Sequence, residues 1–156
     1  MRRSERERSE SFALQILQAC EYATLATINP DGTPYCVPLS PVLDGRVLYF
    51  HCALKGQKLD NIRSGGRVCI SAVGRTKLIP EEYTTRYESA VATGRAAEVT
   101  DSAEKIHALH LICEKYAPSH MAGFDAAIAR SLPATTVIRV VIEAATGKEN
   151  PLGKAE

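Results

Sequence analysis

The sequence predicts a mainly β fold, a six-stranded antiparallel barrel with two or three peripheral helices. Short segments alternate polar and apolar residues, which is typical of strands, and turn signals such as Asn29–Gly32 and Asp44–Gly45 separate them. The strand–helix–strand alternation of a doubly wound sheet is missing from this pattern. The predicted strands cover residues 22–28, 33–40, 46–52, 67–73, 86–99 and 134–142. At 156 residues, the chain is expected to form one domain.

An amphipathic helix is predicted at the start of the chain, over residues 7–20. Its apolar side chains recur every three or four positions, at Ala13, Ile16, Leu17 and Cys20. The charged residues 1–10 are expected to fray, and residues 149–156 to form a tail.

Three further features concern the β segments. Pro34, Pro38 and Pro41 confine the second strand to an edge, a bulge or a strand end, because proline cannot donate to the ladder. Residues 74–84 lack a clear period and predict a loop. Gly94 interrupts the alternation of the long fifth strand and predicts a bulge.

A second helix is predicted to begin after Asp101, because Asp101 followed by Glu104 forms a capping-box pattern. Its predicted buried stripe consists of Ile106, Leu109, Cys113 and Tyr116. Pro118 ends it, and a smaller helix is expected over 121–131.

Composition narrows the functional class. The net charge of +1 gives no basis for binding nucleic acid or an anionic membrane, and no apolar run reaches the roughly 18–20 residues of a spanning helix. The five cysteines form no C-x-x-C pair and lie in apolar patterns. They predict small buried thiols in a reducing cytoplasm. The charged N-terminus lacks the apolar stretch of a signal peptide.

The stretch Val47–Asn61 contains the principal candidate site. An alternating strand runs into a polar loop with Lys55, Gly56 and Lys58, and a helical turn follows. Backbone amides at a helix start, beside two lysines, suit an anion such as a phosphate. The alternative is an ordinary solvated loop.

The ordered motifs carry a family resemblance. Y-F-H-C-A-L-K-G-Q-K-L-D-N-I, then R-V-C-I, then Y-E-S-A-V-A-T-G-R-A before a helix, resemble the FMN-binding split barrels related to pyridoxamine 5′-phosphate oxidase. The chain is most similar to the branch associated with 5-nitroimidazole resistance, which shows a similar H-x-x-x-x-G-x-K loop and a similar A-T-G-K near the end. The resemblance extends from about residue 14 to residue 148.

The resemblance implies a homodimer with FMN in the cleft between two subunits. Lys58 would neutralise the FMN phosphate, with Gln57 and Lys55 beside it. The other implied cofactor contacts are Phe50, His51 and Cys52 on the ribityl and ring side, Cys36, Val37, Pro38 and Leu39 along the isoalloxazine, and Ser89 near the flavin.

His51 is the one catalytic candidate. In the resistance branch, the histidine at this position is associated with the active site, and imidazole can supply a proton near neutral pH. The alternative is a strand histidine packed beside Tyr49.

Other reactive side chains have structural interpretations that we favour. His107, His110 and Glu114 share a helix face that could bind a metal, but a polar surface face is favoured, so no metal site is predicted. Tyr83 and Tyr87 could cover the flavin from the second subunit or pack at an interface. Cys52 could be an activated thiol, but a buried thiol is favoured.

The predicted function is an FMN-dependent oxidoreductase that reduces small compounds such as nitroimidazoles or other nitroaromatics. No G-x-G-x-x-G motif is present, so NAD(P)H would dock transiently. The alternative is a binding protein for flavin, haem or F420 without robust turnover. Vitamin B6 oxidation is disfavoured, because Tyr35–Pro38 replaces the arginine-containing strand of the oxidases proper and the chain ends ENPLGKAE instead of a basic segment.

Overall fold

A computed structural model describes residues 3–151. The strands are β1 (Glu7–Arg8), β2 (Ala23–Ile28), β3 (Pro34–Leu39), β4 (Val42–Asp44), β5 (Val47–Cys52), β6 (Arg67–Ile79), β7 (Thr84–Glu98) and β8 (Thr136–Asn150). The helices are α1 (Glu10–Ala19), α2 (Gln57–Gly65), α3 (Ser102–Tyr116) and α4 (Phe124–Ser131). Short 3₁₀ turns at Ser4–Arg6, Pro80–Glu82, Pro118–Gly123 and Leu132–Ala134 complete the described chain.

The sheet confirms the mainly antiparallel β prediction. Its strand order is β3-β2-β6-β7-β8-β5-β4, with β1 added to β8, and every pairing is antiparallel. The described residues form eight strands instead of the predicted six, because β1 and β4 are only two and three residues long and too short to show a period. The proline-containing β3 lies at one end of the order, as an edge strand.

The first helix is shorter than predicted, and part of its lead-in is ordered. The Ser9 side chain caps α1 by accepting from the Phe12 amide, and Glu7 and Arg8 pair with Lys148 and Gly147 of β8. The stretch expected to fray thus includes a 3₁₀ turn, strand β1 and the start of α1, while residues 1 and 2 lie outside the described residues. Likewise β8 includes residues 149 and 150 of the predicted tail, and residues 152–156 lie outside the described residues.

The predicted loop over residues 74–84 is wrong. Strand β6 continues to Ile79, and a 3₁₀ turn connects it to β7. Most side chains from Val73 to Leu78 are exposed on both faces of this hairpin, so no burial period exists to be detected. The predicted bulge is confirmed, since the β7–β8 register shifts between Thr93 and Gly94.

Helix α3 begins where the capping pattern indicates, but a different face is buried. The Asp101 side chain accepts a 2.8 Å hydrogen bond from the Glu104 amide. The buried residues are Ala108, Leu109 and Ile112, whereas Ile106 and Tyr116 are exposed. The predicted stripe is therefore rotated on the helix, because α3 packs on Tyr49 and Val137 beside α4.

The main core lies between α1 and the inner face of the sheet. Leu17, Leu25, Phe50 and Ile138 are fully buried there. Within residues 3–151, no helix is long and apolar enough to cross a membrane.

Candidate functional site

The loop after β5 presents cations at an uncapped helix start. Gly56 adopts φ +145°, its carbonyl accepts from the Leu59 and Asp60 amides, and no side chain caps α2. Lys55 is exposed and Lys58 is half-buried at this end. Among the described residues, neither lysine forms an ion pair. Two positive charges and first-turn amides of α2 are thus available to an anion.

A chain of amide and hydroxyl groups ties this helix start to the β2–β3 turn. Gln57 Nε2 donates to Asn29 Oδ1 at 3.2 Å and to Asn61 Oδ1 at 3.1 Å. Asn61 Nδ2 donates to Thr27 Oγ1 at 2.9 Å and to Asn29 Oδ1 at 2.8 Å. Asn29 Nδ2 in turn donates to Thr33 Oγ1 at 2.9 Å. We call these five residues the amide network.

Sequence reasoning missed the amide network. One signal was available: Asn61 occupies a helix position between Leu59 and Ile62, and all three side chains are buried. A buried amide requires partners. The turn itself is braced by Asp31, which accepts from the Thr33 amide and hydroxyl, and these hydrogen bonds hold the pKa of Asp31 below its usual range.

Cys52 lies at the end of β5 near this cationic end. Burial raises the pKa of the Cys52 thiol, against the opposing field of Lys58. Arg63 of α2 hydrogen-bonds Glu98 of β7, so this nearby cation is neutralised. The raised pKa favours the buried-thiol interpretation over an activated nucleophile.

The predicted flavin contacts divide between two faces of the sheet. Cys36, Pro38 and His51 are exposed, and Ser89 is half-buried with its hydroxyl 3.5 Å from the Lys148 carbonyl oxygen. By contrast, Val37, Leu39 and Cys52 pack against the core, and Phe50 is fully buried in it. The interior position of Phe50 gives it a supporting role in the fold.

His51 projects from the face of β5 opposite to Phe50. Its register partner is Val137 of β8, and β4 pairs only as far as Tyr49, so β5 has no neighbour on that side at His51. Its exposed imidazole is therefore open to a ligand, and the packed-histidine alternative is disfavoured.

The outer face of the sheet carries a block of neutral side chains. The cross-strand register places two rows next to each other over five strands. One row is Pro38, Thr24, Ser71, Val91 and Thr146, and the other is Cys36, Ala26, Cys69, Thr93 and Ala144. All ten are exposed or half-buried, and we call them the neutral face.

The carboxylate and imidazole side chains of α3 have protein partners. Glu104 accepts from Tyr49 Oη at 3.1 Å and from Arg139 at 2.8 Å, and burial together with this contact raises the pKa of Tyr49 to about 12. His107 Nε2 lies 2.9 Å from Asp44 Oδ2, and His110 pairs with Glu114. Each histidine thus has its own carboxylate, which supports the polar-face interpretation.

A cleft of about 720 Å³ lies between α1 and strands β6 and β7. Its wall includes Phe12, Ile16 and Val73, and its cation, Arg75, is paired with the buried carboxylate of Glu88. No predicted flavin contact lines it. Tyr83 and Tyr87 lie instead at a separate surface depression near Leu78, where Tyr83 is 97% exposed.

Comparison with known families identifies the chain. It belongs to the pyridoxamine 5′-phosphate oxidase family, whose model matches residues 9–149. The resemblance drawn from the sequence motifs is thereby confirmed. No curated protein matches the chain.

Solved structures share the fold, at low identity. A candidate 5-nitroimidazole antibiotic resistance protein from Bacteroides thetaiotaomicron is 23% identical, with a TM-score of 0.75 over 91% of this chain and 84% of that one. The flavocytochrome Anf3 of Azotobacter vinelandii is 19% identical, with a TM-score of 0.84 over 100% of this chain and 74% of that one. An FAD- and haem-binding protein of Mycobacterium smegmatis is 20% identical, with a TM-score of 0.81 over 97% of this chain and 76% of that one. These similarities support the assignment of a split barrel.

Proposed function

We propose that this protein is an FMN-dependent oxidoreductase that acts as a homodimer, with the flavin between two subunits. The observation that carries the proposal is the start of α2, where Lys55 and Lys58 have no ion-pair partner among the described residues and the helix has no side-chain cap. A lysine–phosphate contact there would contribute about 1.5–3 kcal/mol to binding.

The donor set fits the three parts of FMN. The phosphate is a dianion and suits the lysine loop, while the ribityl chain needs polar partners and the ring needs neutral surface. His51 and Cys52, at the end of β5 that leads into the lysine loop, would lie on the ribityl and ring side, and Ser89 would lie near the flavin. Cys36 and Pro38 of β3 lie on the neutral face. Within residues 3–151, the neutral face contains no charge that would oppose an uncharged ring.

The neutral face also supports the homodimer. Ten neighbouring side chains without a charge are unusual for a surface that meets only water. A second copy covering this face would bury it and would bring neutral strands against the flavin from the other side. Interfaces of stable homodimers are enriched in such uncharged surface.

His51 is the proposed proton donor. When bound, the flavin supplies the electron transfer, and the protein supplies position, polarity and exclusion of water. The exposed imidazole of His51 can donate a proton to a bound substrate. The proposed substrate class is a small nitroaromatic, and the proposed reductant is NAD(P)H docking transiently. The five free cysteines support a reducing, cytoplasmic location.

A second candidate is a flavin or haem carrier without robust turnover. Two proteins that share the fold support it, because one is a flavocytochrome and the other is an FAD- and haem-binding protein. FAD contains the same flavin ring and could replace FMN, and F420 is a further possible occupant.

An absorbance spectrum of the untreated protein tests the proposal. Flavin bands that bleach with NAD(P)H under anaerobic conditions, and return on addition of a nitroimidazole, are the expected result. Flavin bands without nitroimidazole-dependent reoxidation would indicate a carrier, and a Soret band would indicate haem. A colourless protein that does not bind added FMN would refute flavin binding.

A further inference from the structure

The side chain of Gln57 has no hydrogen left to offer an anion. A glutamine amide carries two N–H donors. In this structure one donates to Asn29 Oδ1 and the other to Asn61 Oδ1. What remains is the carbonyl oxygen, an acceptor that a phosphate dianion would repel.

We infer that Gln57 and Asn29 are positioning residues for the phosphate site: their side chains hold the start of α2 against the β2–β3 turn and do not touch the phosphate. The inference rests on the proposed function. It differs from the sequence-based expectation, in which Gln57 lies beside the phosphate as a ligand.

Asn29 is the centre of the amide network. Its Oδ1 accepts from both Gln57 and Asn61, and its Nδ2 donates to Thr33 Oγ1. The Thr33 hydroxyl donates to Asp31, so the orientation of the Asn29 amide is fixed by its own turn. The backbone also closes this turn, because the Asn29 amide donates to the Thr33 carbonyl at 2.8 Å.

The amide network joins two segments that are distant in the chain. The loop of Lys55 and Lys58 follows β5, while Asn29 begins the turn that leads into β3. In the proposed function, the first segment binds the phosphate and β3 lies along the ring. The network would therefore fix the spacing between the two ends of the flavin before it binds. Such preorganisation removes part of the ordering cost of binding.

The ratio of riboflavin to FMN dissociation constants tests this role. Riboflavin lacks only the phosphate, so the ratio measures phosphate recognition and is insensitive to a general loss of structure. The variants are Gln57→Ala, Asn29→Ala and the double variant, with Lys58→Ala as a direct-contact reference. Gln18→Ala, an exposed glutamine on α1, is the matched control. Gln57 is exposed and Asn29 half-buried, whereas the buried Asn61 is left intact so that the variants fold.

We expect each single variant to lower the ratio by about tenfold, and the double variant to lower it no further, because both changes break the same connection. Gln18→Ala should leave the ratio unchanged. A lower ratio in Gln57→Ala together with an unchanged ratio in Asn29→Ala would make Gln57 a direct ligand and overturn the inference. A double variant in which the two single-variant effects on the ratio add up would overturn the inference as well.

The failure of the proposed function has a separate signature. If Lys58→Ala lowers the ratio while Gln57→Ala and Asn29→Ala do not, the phosphate site stands and the positioning role is refuted. If the wild-type protein does not distinguish FMN from riboflavin, the phosphate site itself is refuted, and the inference with it.

Discussion

Two regions of this molecule offer a cation beside open space, and they differ in what that cation can do. In the cleft under α1, Arg75 is held by Glu88, whose carboxyl is buried. At the start of α2, Lys55 and Lys58 have no carboxylate partner among the described residues. The cleft has a large volume, about 720 Å³, but its charge is already compensated. Availability of charge, and not the size of the cavity, is therefore the reason for proposing the anion site at the start of α2.

The same comparison separates a core residue from a proposed binding residue along β5. Phe50 and His51 are neighbours, yet Phe50 is fully buried and His51 is exposed. Resemblance assigns both to the flavin pocket. Their burial differs because successive side chains of a strand point to opposite faces, so Phe50 faces the core and His51 faces away from it.

The largest effect is expected from Phe50→Ala. Removing this core ring should lower the free energy of unfolding by about 3–5 kcal/mol, through lost burial and the cavity left behind. Chemical denaturation of the wild type and the variant measures the difference. A loss of flavin affinity with unchanged stability would instead make Phe50 a wall of the binding site.

A smaller effect is expected from Glu88→Gln, which breaks the ion pair of the cleft. The Arg75 hydrogen bond lowers the pKa of Glu88 below the ordinary value of 4.5. The folded state thus favours the charged carboxylate, and the pair's contribution is present above that value and lost as the pH falls through the folded pKa.

Because the Arg75 guanidinium is largely exposed, we expect the variant to be about 1 kcal/mol less stable at pH 7. The difference from the wild type should shrink in acid, as measured by denaturation between pH 7 and 3. A difference that grows as the pH falls would contradict the ion-pair account.

The smallest effect is expected from Arg75→Ala on cofactor affinity. Since its charge is compensated and it lies in the cleft, its removal should change FMN affinity by less than about twofold. Fluorescence titration measures this. An FMN affinity about tenfold lower in Arg75→Ala would instead place the anion site in the cleft.

Much of the fold could be predicted because local signals agree with the tertiary structure. The Asn29–Gly32 turn, the Asp101 cap and the bulge at Gly94 are each encoded within a few residues. The extension of β6 to Ile79 could not be predicted, because a hairpin exposed on both faces has no burial period.

The site was predicted less completely, for a related reason. Lys55 and Lys58 could be proposed as phosphate ligands from their place after a strand. The contacts of Gln57 with Asn29, and of Asn61 with Thr27, join residues about thirty positions apart that only the closed sheet brings together. The register that aligns the ten residues of the neutral face is likewise a property of the whole sheet.

The most direct test of the anion site compares Lys58→Ala with Lys77→Ala, a lysine exposed on the β6–β7 hairpin. Each variant is titrated with FMN and with riboflavin. We expect Lys58→Ala to weaken FMN binding by about tenfold or more and riboflavin binding by less than twofold, whereas Lys77→Ala changes neither. Equal FMN affinities in the two variants would contradict the assignment of the phosphate to the start of α2.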